Sequence, residues 1–144
     1  MRMNTHVQQV VCPHCHAVNR LPAERAQDDP QCGRCHRALL ADHPIELTDD
    51  SFDAVAAATT LPLVVDFWAA WCGPCRTMAP QFDAAARQLK GRAVFAKVDS
   101  DANPRLAARF GIRSIPTLLR LQQGQEIKRQ SGALPAARIV DFAS

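Results

Sequence analysis

The chain is predicted to be an α/β protein, with a mixed five-stranded sheet, helices on both faces, and a small four-cysteine module in front. Residues 45–144 alternate strand and helix patterns in the order β-α-β-α-β-α-β-β-α, which is typical of a layered sheet. The run Leu61 to Trp68 is the most hydrophobic in the chain, and its β-branched and aromatic content predicts a buried strand. The first 40 residues hold two Cys-x-x-Cys pairs. We therefore expect a metal module at 1–40, a linker at 41–44 and a larger domain at 45–144.

The cysteine module has the spacing of a zinc site. Its two pairs are separated by 16 residues, and each pair can form a turn that places both sulfurs on one side. Four thiolates from two turns suit tetrahedral Zn²⁺, so one structural ion per chain is predicted. The predicted ligands are Cys12, Cys15, Cys32 and Cys35, and the nearby His14, His16 and His36 need not ligate.

Metal is also expected to be needed for folding of the module. Residues 1–40 contain few large apolar side chains and no Phe, Trp or Tyr, so they cannot build a core alone. Binding of nucleic acid is disfavoured, because the segment has no aromatic stacking platform and its basic residues are diluted by acidic ones. A resting pair of disulfides remains an alternative to bound zinc.

The linker and the first elements of the larger domain follow from local signals. Pro44 disfavours helix at the residue before it, which suits a linker. The sequence predicts a brief strand at 45–47. The candidate N-caps for a helix that begins near Phe52 lie at Thr48 to Ser51. The hydrophobic run then predicts the central strand at 62–68.

The helix after the central strand is predicted at 73–89, because Met78, Phe82 and Leu89 recur at helical spacing. Pro80 falls inside this pattern and is expected to kink the helix. The remaining elements are predicted as a strand at 93–99, a helix at 104–109, a hairpin with strands at 117–121 and 125–130, and a last helix at 134–142.

Cys72 and Cys75 lie where the central strand ends and this helix begins. Unpaired N–H groups and the positive end of the helix dipole stabilise a thiolate there, so the pKa of Cys72 is expected to be lowered. Cys75 lies almost one helical turn later, and its sulfur can close a small disulfide ring with Cys72. The spacing predicts a redox dithiol in which Cys72 attacks a substrate disulfide and Cys75 resolves the mixed disulfide.

Asp66 lies inside the hydrophobic run, where burial is expected to raise the pKa of its carboxyl group. Such a group could accept the proton of Cys75 and return it. The alternative is an aspartate at a strand edge, hydrogen-bonded to the backbone. Its position next to a Cys-x-x-Cys pair favours the functional interpretation.

Residues 61–132 resemble the thioredoxin family. The resemblance is specific, because several separate motifs occur in the family's order: Val65–Ala69, Trp71–Cys75, Pro80, Lys97–Asp99, Phe110–Ile112, Ile115–Thr117 and Gly132. A two-pair cysteine module in front of such a domain resembles the thioredoxin 2 type of bacteria, in which the module is a zinc site.

The resemblance implies roles for the remaining site residues. Cys72 would be the nucleophile, Cys75 the resolving thiol and Asp66 the buried proton carrier. Lys97 would be the charge partner of Asp66, and Pro116 a cis-proline that faces the dithiol. The residues expected to contact the substrate are Trp71, Gly73, Pro74, Ile115, Pro116 and Gly132.

The activity implied is reduction of protein disulfides, with thioredoxin reductase and oxidised client proteins as partners and no organic cofactor. Gly73-Pro74 between the cysteines resembles reducing members of the family rather than oxidases or isomerases. Cys12 and Cys15 enclose the Pro-His dipeptide of strongly oxidising relatives, but no buried strand is expected before that pair. The other function left open is a zinc-dependent, redox-regulated chaperone or adaptor, which the intact dithiol and Asp66 disfavour.

Charge and hydropathy exclude several other classes. A net charge of +3 is too small to imply partners such as nucleic acid or an acidic membrane. No stretch reaches the length of a transmembrane helix, and the first nine residues lack the apolar core of a signal peptide. We therefore expect a cytoplasmic monomer that contacts no membrane.

Overall fold

The structure is a computed structural model that describes residues 7–144. The start of the predicted metal module lies outside these residues. A hairpin comes first, formed by β1 (Val7–Val11) and β2 (Val18–Pro22), and a short 3₁₀ turn follows it at Ala23–Arg25. The larger sheet consists of β3 (Ile45–Glu46), β4 (Leu63–Trp68), β5 (Val94–Asp99), β6 (Thr117–Gln122) and β7 (Gln125–Ser131). The helices are α1 (Phe52–Ala58), α2 (Gly73–Gln88), α3 (Pro104–Arg109) and α4 (Ala136–Ala143).

The larger sheet confirms the predicted fold class. Its strand order is β3-β5-β4-β6-β7, in which β5 pairs in parallel with both β3 and β4, and β6 pairs antiparallel with β4 and β7. The most hydrophobic run of the sequence thus becomes the central strand. Among residues 7–144, no helix is both long and apolar enough to cross a bilayer.

Alternation along β4 divides the core into two layers. Leu63, Val65 and Phe67 pack on the face covered by α1 and α3. Val64 packs on the opposite face with α2 and α4. Because side chains alternate along a strand, Asp66 lies on the same face as Val64, beneath α2. α2 continues through Pro80 to Gln88.

The expected capping of α1 is only partly correct. Ser51 occupies the N-cap position of α1, but its side chain makes no capping hydrogen bond to that helix. Asp49 instead accepts hydrogen bonds from the backbone of α3, from Leu106 N at 2.9 Å and Arg105 N at 3.4 Å. A predicted cap of one helix therefore ties the start of another to the segment before α1.

The expectation that no buried strand precedes Cys12 was wrong. β1 ends at Val11, and both Val10 and Val11 are buried. Val11 joins the main core, whereas Val10 packs with Cys12 and Leu21. The local sequence did not indicate this strand, because the residues that bury each of its faces come from distant parts of the chain.

The cysteine module packs directly on the larger domain. The N–H of Gln9 donates to Thr60 Oγ1 at 2.8 Å, and Thr60 N donates back to the carbonyl of Gln9 at 3.1 Å. Leu61, just before β4, and Val94, the first residue of β5, join the apolar cluster of the module. The module therefore lies at the end of the sheet opposite to the dithiol, which follows the other end of β4.

Candidate redox site and metal centre

Cys72 and Cys75 form a disulfide at the start of α2. Cys72 is the N-cap residue of the helix, and its sulfur accepts the backbone N–H of Cys75 at 3.2 Å. Both cysteines are almost fully buried, with 4% and 3% of their surface exposed. A thiolate at Cys72 would receive the same N–H and would also face the positive end of the helix dipole.

Asp66 is fully buried, and neither of its carboxylate oxygens has a hydrogen-bond partner within the described part of the chain. Burial raises the pKa of Asp66 to about 7, although the charge of Lys97 acts in the opposite direction. The strand-edge alternative, with a backbone-bonded carboxylate, does not hold. A carboxyl group that titrates near neutral pH can both accept and release a proton under physiological conditions.

Lys97 pairs in register with Asp66 across β5 and β4. Its ammonium lies 4.8 Å from the centroid of the Trp68 ring, a cation–π arrangement. Lys97 therefore acts on Asp66 as a nearby charge and not as a hydrogen-bond donor. This arrangement leaves the carboxylate oxygens free for a proton.

Pro116 lies beside the dithiol, and the Ile115–Pro116 peptide bond is cis. The carbonyl oxygen of Ile115 lies 3.7 Å from the sulfur of Cys72. Gly132, at a φ of +96°, donates its N–H to the carbonyl of Pro116 at 2.9 Å. The loop before β6 thus faces the start of α2, and Gly132 supports it from the end of β7.

A groove of about 410 Å³ opens beside Cys72, and we call it the active-site groove. It contains four of the predicted substrate-contacting residues, whereas Pro116 and Gly132 do not line it. Its lining is Trp71, Cys72, Gly73, Pro74, Ser100, Asp101, Ala107, Ile112, Arg113, Ser114 and Ile115.

Trp71 and Asp101 form one wall of the active-site groove. Trp71 is 68% exposed, which is unusual for so large an apolar side chain. Its indole N–H donates to Asp101 Oδ2 at 2.8 Å, and this contact fixes the plane of the ring. Asp101 was missed at the sequence level, because only its position after β5 brings it close to Trp71.

Cys12, Cys15, Cys32 and Cys35 come together as the sequence predicted. Their four sulfurs lie within 4.8 Å of one another. The sulfurs of Cys12 and Cys35 are 3.6 Å apart, and so are those of Cys15 and Cys32. Tetrahedral zinc with Zn–S bonds of about 2.3 Å requires sulfur separations of roughly 3.8 Å, so the cluster fits this ion.

The two cysteine turns share one backbone design. In the first, His14 and Cys15 donate their N–H groups to the sulfur of Cys12; in the second, Arg34 and Cys35 donate to Cys32. The residues that follow, His16 and His36, have φ angles of +64° and +65°, and each turns the chain back. All three neighbouring histidines are exposed and lie outside the sulfur cluster.

Cys32 receives additional donors. The backbone N–H of Cys35 and the side chain of Asn19 lower the pKa of Cys32 to about 5. Asn19 Nδ2 lies 3.4 Å from the Cys32 sulfur, and its Oδ1 accepts Gly33 N at 2.9 Å. These donors favour a thiolate, the form of cysteine that binds metal.

Comparison with known proteins gives the same two parts. The family model described as Thioredoxin matches residues 43–144, and the one described as Thioredoxin 2, N-terminal matches residues 11–37. Thioredoxin C-3 of Corynebacterium nephridii is 49% identical over 125 residues, covering 87% of this chain and 86% of that protein. Thioredoxin of Haemophilus influenzae is 40% identical over 98 residues, covering 68% and 92%. Among solved structures, a mutant thioredoxin from Halobacterium salinarum has a TM-score of 0.65 at 30% identity, covering 71% of this chain and 88% of that one.

Proposed function

The chain belongs to the thioredoxin family, and on that premise we propose that it reduces protein disulfides through the dithiol Cys72 and Cys75. As a thiol-disulfide oxidoreductase with a zinc-ribbon module, it exchanges two electrons with its substrate. The observation that carries the choice of dithiol is the place of Cys72 as N-cap of the 16-residue helix α2, where its sulfur accepts the N–H of Cys75. The other four cysteines lie at the far end of the sheet.

Reduction of a client proceeds in two sulfur exchanges. The thiolate of Cys72 attacks one sulfur of the client disulfide, which forms a mixed disulfide and releases the other client sulfur as a thiolate. Cys75 then loses its proton, and its thiolate attacks the sulfur of Cys72. This step forms the Cys72–Cys75 disulfide and releases the second client thiolate. The client gains two electrons, and the dithiol loses two.

Asp66 serves this cycle as the proton acceptor for Cys75. It lies on the sheet face beneath α2, and its carboxylate has no competing hydrogen bond among residues 7–144. A pKa of about 7 lets it take the proton from Cys75 and pass it on to the departing client thiolate. Lys97 moderates this pKa without occupying the carboxylate oxygens.

The active-site groove binds the client chain beside its disulfide. Trp71 offers an exposed aromatic surface, and Ile115 and Pro116 present the edge of the cis-proline loop next to Cys72. Gly73 and Pro74 line the groove at the start of α2. Neither carries a bulky side chain, so neither blocks a client chain from this side of the groove. Gly132 holds the carbonyl of Pro116 from behind.

The oxidised dithiol must be reduced again after each turnover, and proteins of this family generally work with thioredoxin reductase and disulfide clients. We propose this reductase as the electron donor for the present chain. We also propose that the chain acts in the cytoplasm as a monomer, without nucleic acid or an organic cofactor.

Zinc is assigned a structural role in the module at 1–40, which we propose is a unit separate from the linker at 41–44 and the domain at 45–144. Cys12, Cys15, Cys32 and Cys35 would hold one Zn²⁺ per chain, and four Zn–S bonds would cross-link the two turns. Thr60 bonds to Gln9 of β1 and Leu61 packs in the apolar cluster of the module, so both anchor the module to the larger domain.

The experiment is an insulin-reduction assay driven by thioredoxin reductase and NADPH, with Cys72→Ser and Cys12→Ser as matched single-sulfur changes. We expect Cys72→Ser to abolish turnover, because no thiolate remains to attack. Cys12→Ser is expected to keep at least about half of the rate while losing zinc. Turnover retained by Cys72→Ser, or lost equally in both variants, would contradict the assignment of the dithiol.

A further inference from the structure

Three charged residues form a row across neighbouring strands. Lys97 on β5 is in register with Asp66 on β4 and with Glu46 on β3. Residues in register on adjacent strands project to the same face of the sheet. Glu46, Lys97 and Asp66 therefore lie side by side on the face that α2 covers, and we call them the carboxylate row.

The two carboxylates flank Lys97 from opposite sides. Asp66 is fully buried in the sheet centre, whereas Glu46 occupies the exposed edge strand. The ammonium of Lys97 rests against the Trp68 ring and makes no hydrogen bond to Asp66. The Trp68 ring is the observed contact of this ammonium, and Glu46 places a negative charge in register on the side of Lys97 away from Asp66.

We propose that Glu46 is a positioning residue of the redox site, which acts through Lys97 to keep the carboxylate of Asp66 unpaired and able to take up a proton. This inference rests on the proposed role of Asp66 as proton acceptor for Cys75. Glu46 touches neither the dithiol nor the active-site groove. Its influence is electrostatic and passes along the carboxylate row.

Other charged groups near the carboxylate row raise or lower the pKa of Glu46. Burial raises the pKa of Glu46, and Asp99 adds to this effect while Lys97 opposes it. Glu46 also lines a groove of about 620 Å³, and residues of the cysteine module line the same groove. The titratable or charged residues that line this groove with it are Cys12, His14, His16, Asp42, His43 and Lys90. On the other side of Asp66, the register partner on β6 is the apolar Leu118.

The direction in which a substitution at Glu46 shifts the pKa of Asp66 follows from the order of charges in the row. Glu46→Gln removes a negative charge two strands away from Asp66, which favours ionisation of Asp66. The same change releases Lys97 to approach Asp66, which favours ionisation further. Both effects lower the pKa of Asp66, and only the second requires Lys97.

The test is the carboxyl titration of Asp66, followed by ¹³C NMR in the oxidised, zinc-loaded full-length protein. We expect Glu46→Gln to lower the pKa of Asp66 by about 0.5 or more. In a Lys97→Met background, the same substitution is expected to have at most about half of that effect. Glu24→Gln, an identical change at an exposed site of the cysteine module, serves as the control and should leave Asp66 unchanged.

A parallel measurement connects the row to the reaction. The rate of client reduction, measured by stopped flow against pH, should show a midpoint that falls with Glu46→Gln by the same amount as the pKa of Asp66. An unchanged titration of Asp66 would overturn the proposal and leave the role of Asp66 intact. A titration that shifts without the rate profile would contradict the role of Asp66 itself, and with it any effect of Glu46 on the reaction.

Discussion

Replacement of Asp66 by asparagine should make the oxidised protein more stable at neutral pH and hardly more stable in acid. The carboxyl is fully buried and has no hydrogen-bond partner among the described residues. Burial raises its pKa from 3.8 to about 7, with Lys97 as a weaker opposing influence. Ionisation in the folded state therefore costs more free energy than ionisation in the unfolded chain.

The magnitude follows from the linkage between protonation and folding. Below a pH near 4 the carboxyl is protonated in both states, and its burial carries no ionisation cost. As pH rises towards 7, the unfolded chain gives up the proton first, so the free energy of unfolding falls, and it levels off above the folded pKa. A difference of about 3 in pKa corresponds to about 4 kcal/mol at full ionisation.

The assay is urea unfolding of the oxidised wild-type protein and Asp66→Asn at pH values from 5 to 8. Asparagine cannot ionise, so the gain in stability of the variant should increase by roughly 2.5 kcal/mol over this range. The cost of burying the asparagine amide is independent of pH, so it shifts the whole curve without changing its slope. Asp83→Asn, an exposed change on α2, controls for general effects of pH.

A gain that is constant from pH 5 to pH 8 would refute the reasoning. It would mean that Asp66 ionises equally easily in the folded and unfolded chains, and that burial beneath α2 is balanced by contacts that stabilise the charged form. A stability gain of Asp66→Asn over the wild type that decreases as pH rises would refute it more strongly.

Two further predictions concern the proton and the metal. In stopped-flow reduction of a client, Asp66→Asn should slow resolution by Cys75 at least about tenfold while changing the initial attack by Cys72 much less, because general-base help is lost only in the second step; equal slowing of both steps would contradict this. Elemental analysis should find one zinc ion per chain, and chelation should expose four thiols to a thiol reagent and lower the unfolding temperature; metal-free protein with an unchanged unfolding temperature would contradict the structural role of the ion.

The main sheet could be predicted because its signals are local. The central strand is a continuous apolar run, and α2 and α3 begin at Gly73-Pro74 and Asn103-Pro104, so their starts are marked in the sequence. The four metal-site cysteines were predicted from spacing alone, since a zinc site imposes its geometry on two short turns.

The parts that could not be predicted depend on distant residues. β1 was missed because Val10 and Val11 face different clusters, and Thr60 supplies its edge hydrogen bonds from 51 residues away. Asp101 gives no sign in the sequence of its bond to Trp71. The position of Lys97 over Trp68 likewise requires the register of two strands, which no local pattern fixes.

Cys-x-x-Cys at three places in one chain leads to two kinds of chemistry, and the residues that follow each pair decide between them. In all three, the N–H of the second cysteine donates to the sulfur of the first. Cys75 lies in the first turn of α2, a helix of 16 residues that begins at Gly73, so both sulfurs stay on one turn and can bond to each other. After Cys15 and Cys35 a histidine with positive φ turns the chain back. Each of those pairs therefore directs its sulfurs towards the other pair, and four thiolates meet around a space that a zinc ion fits.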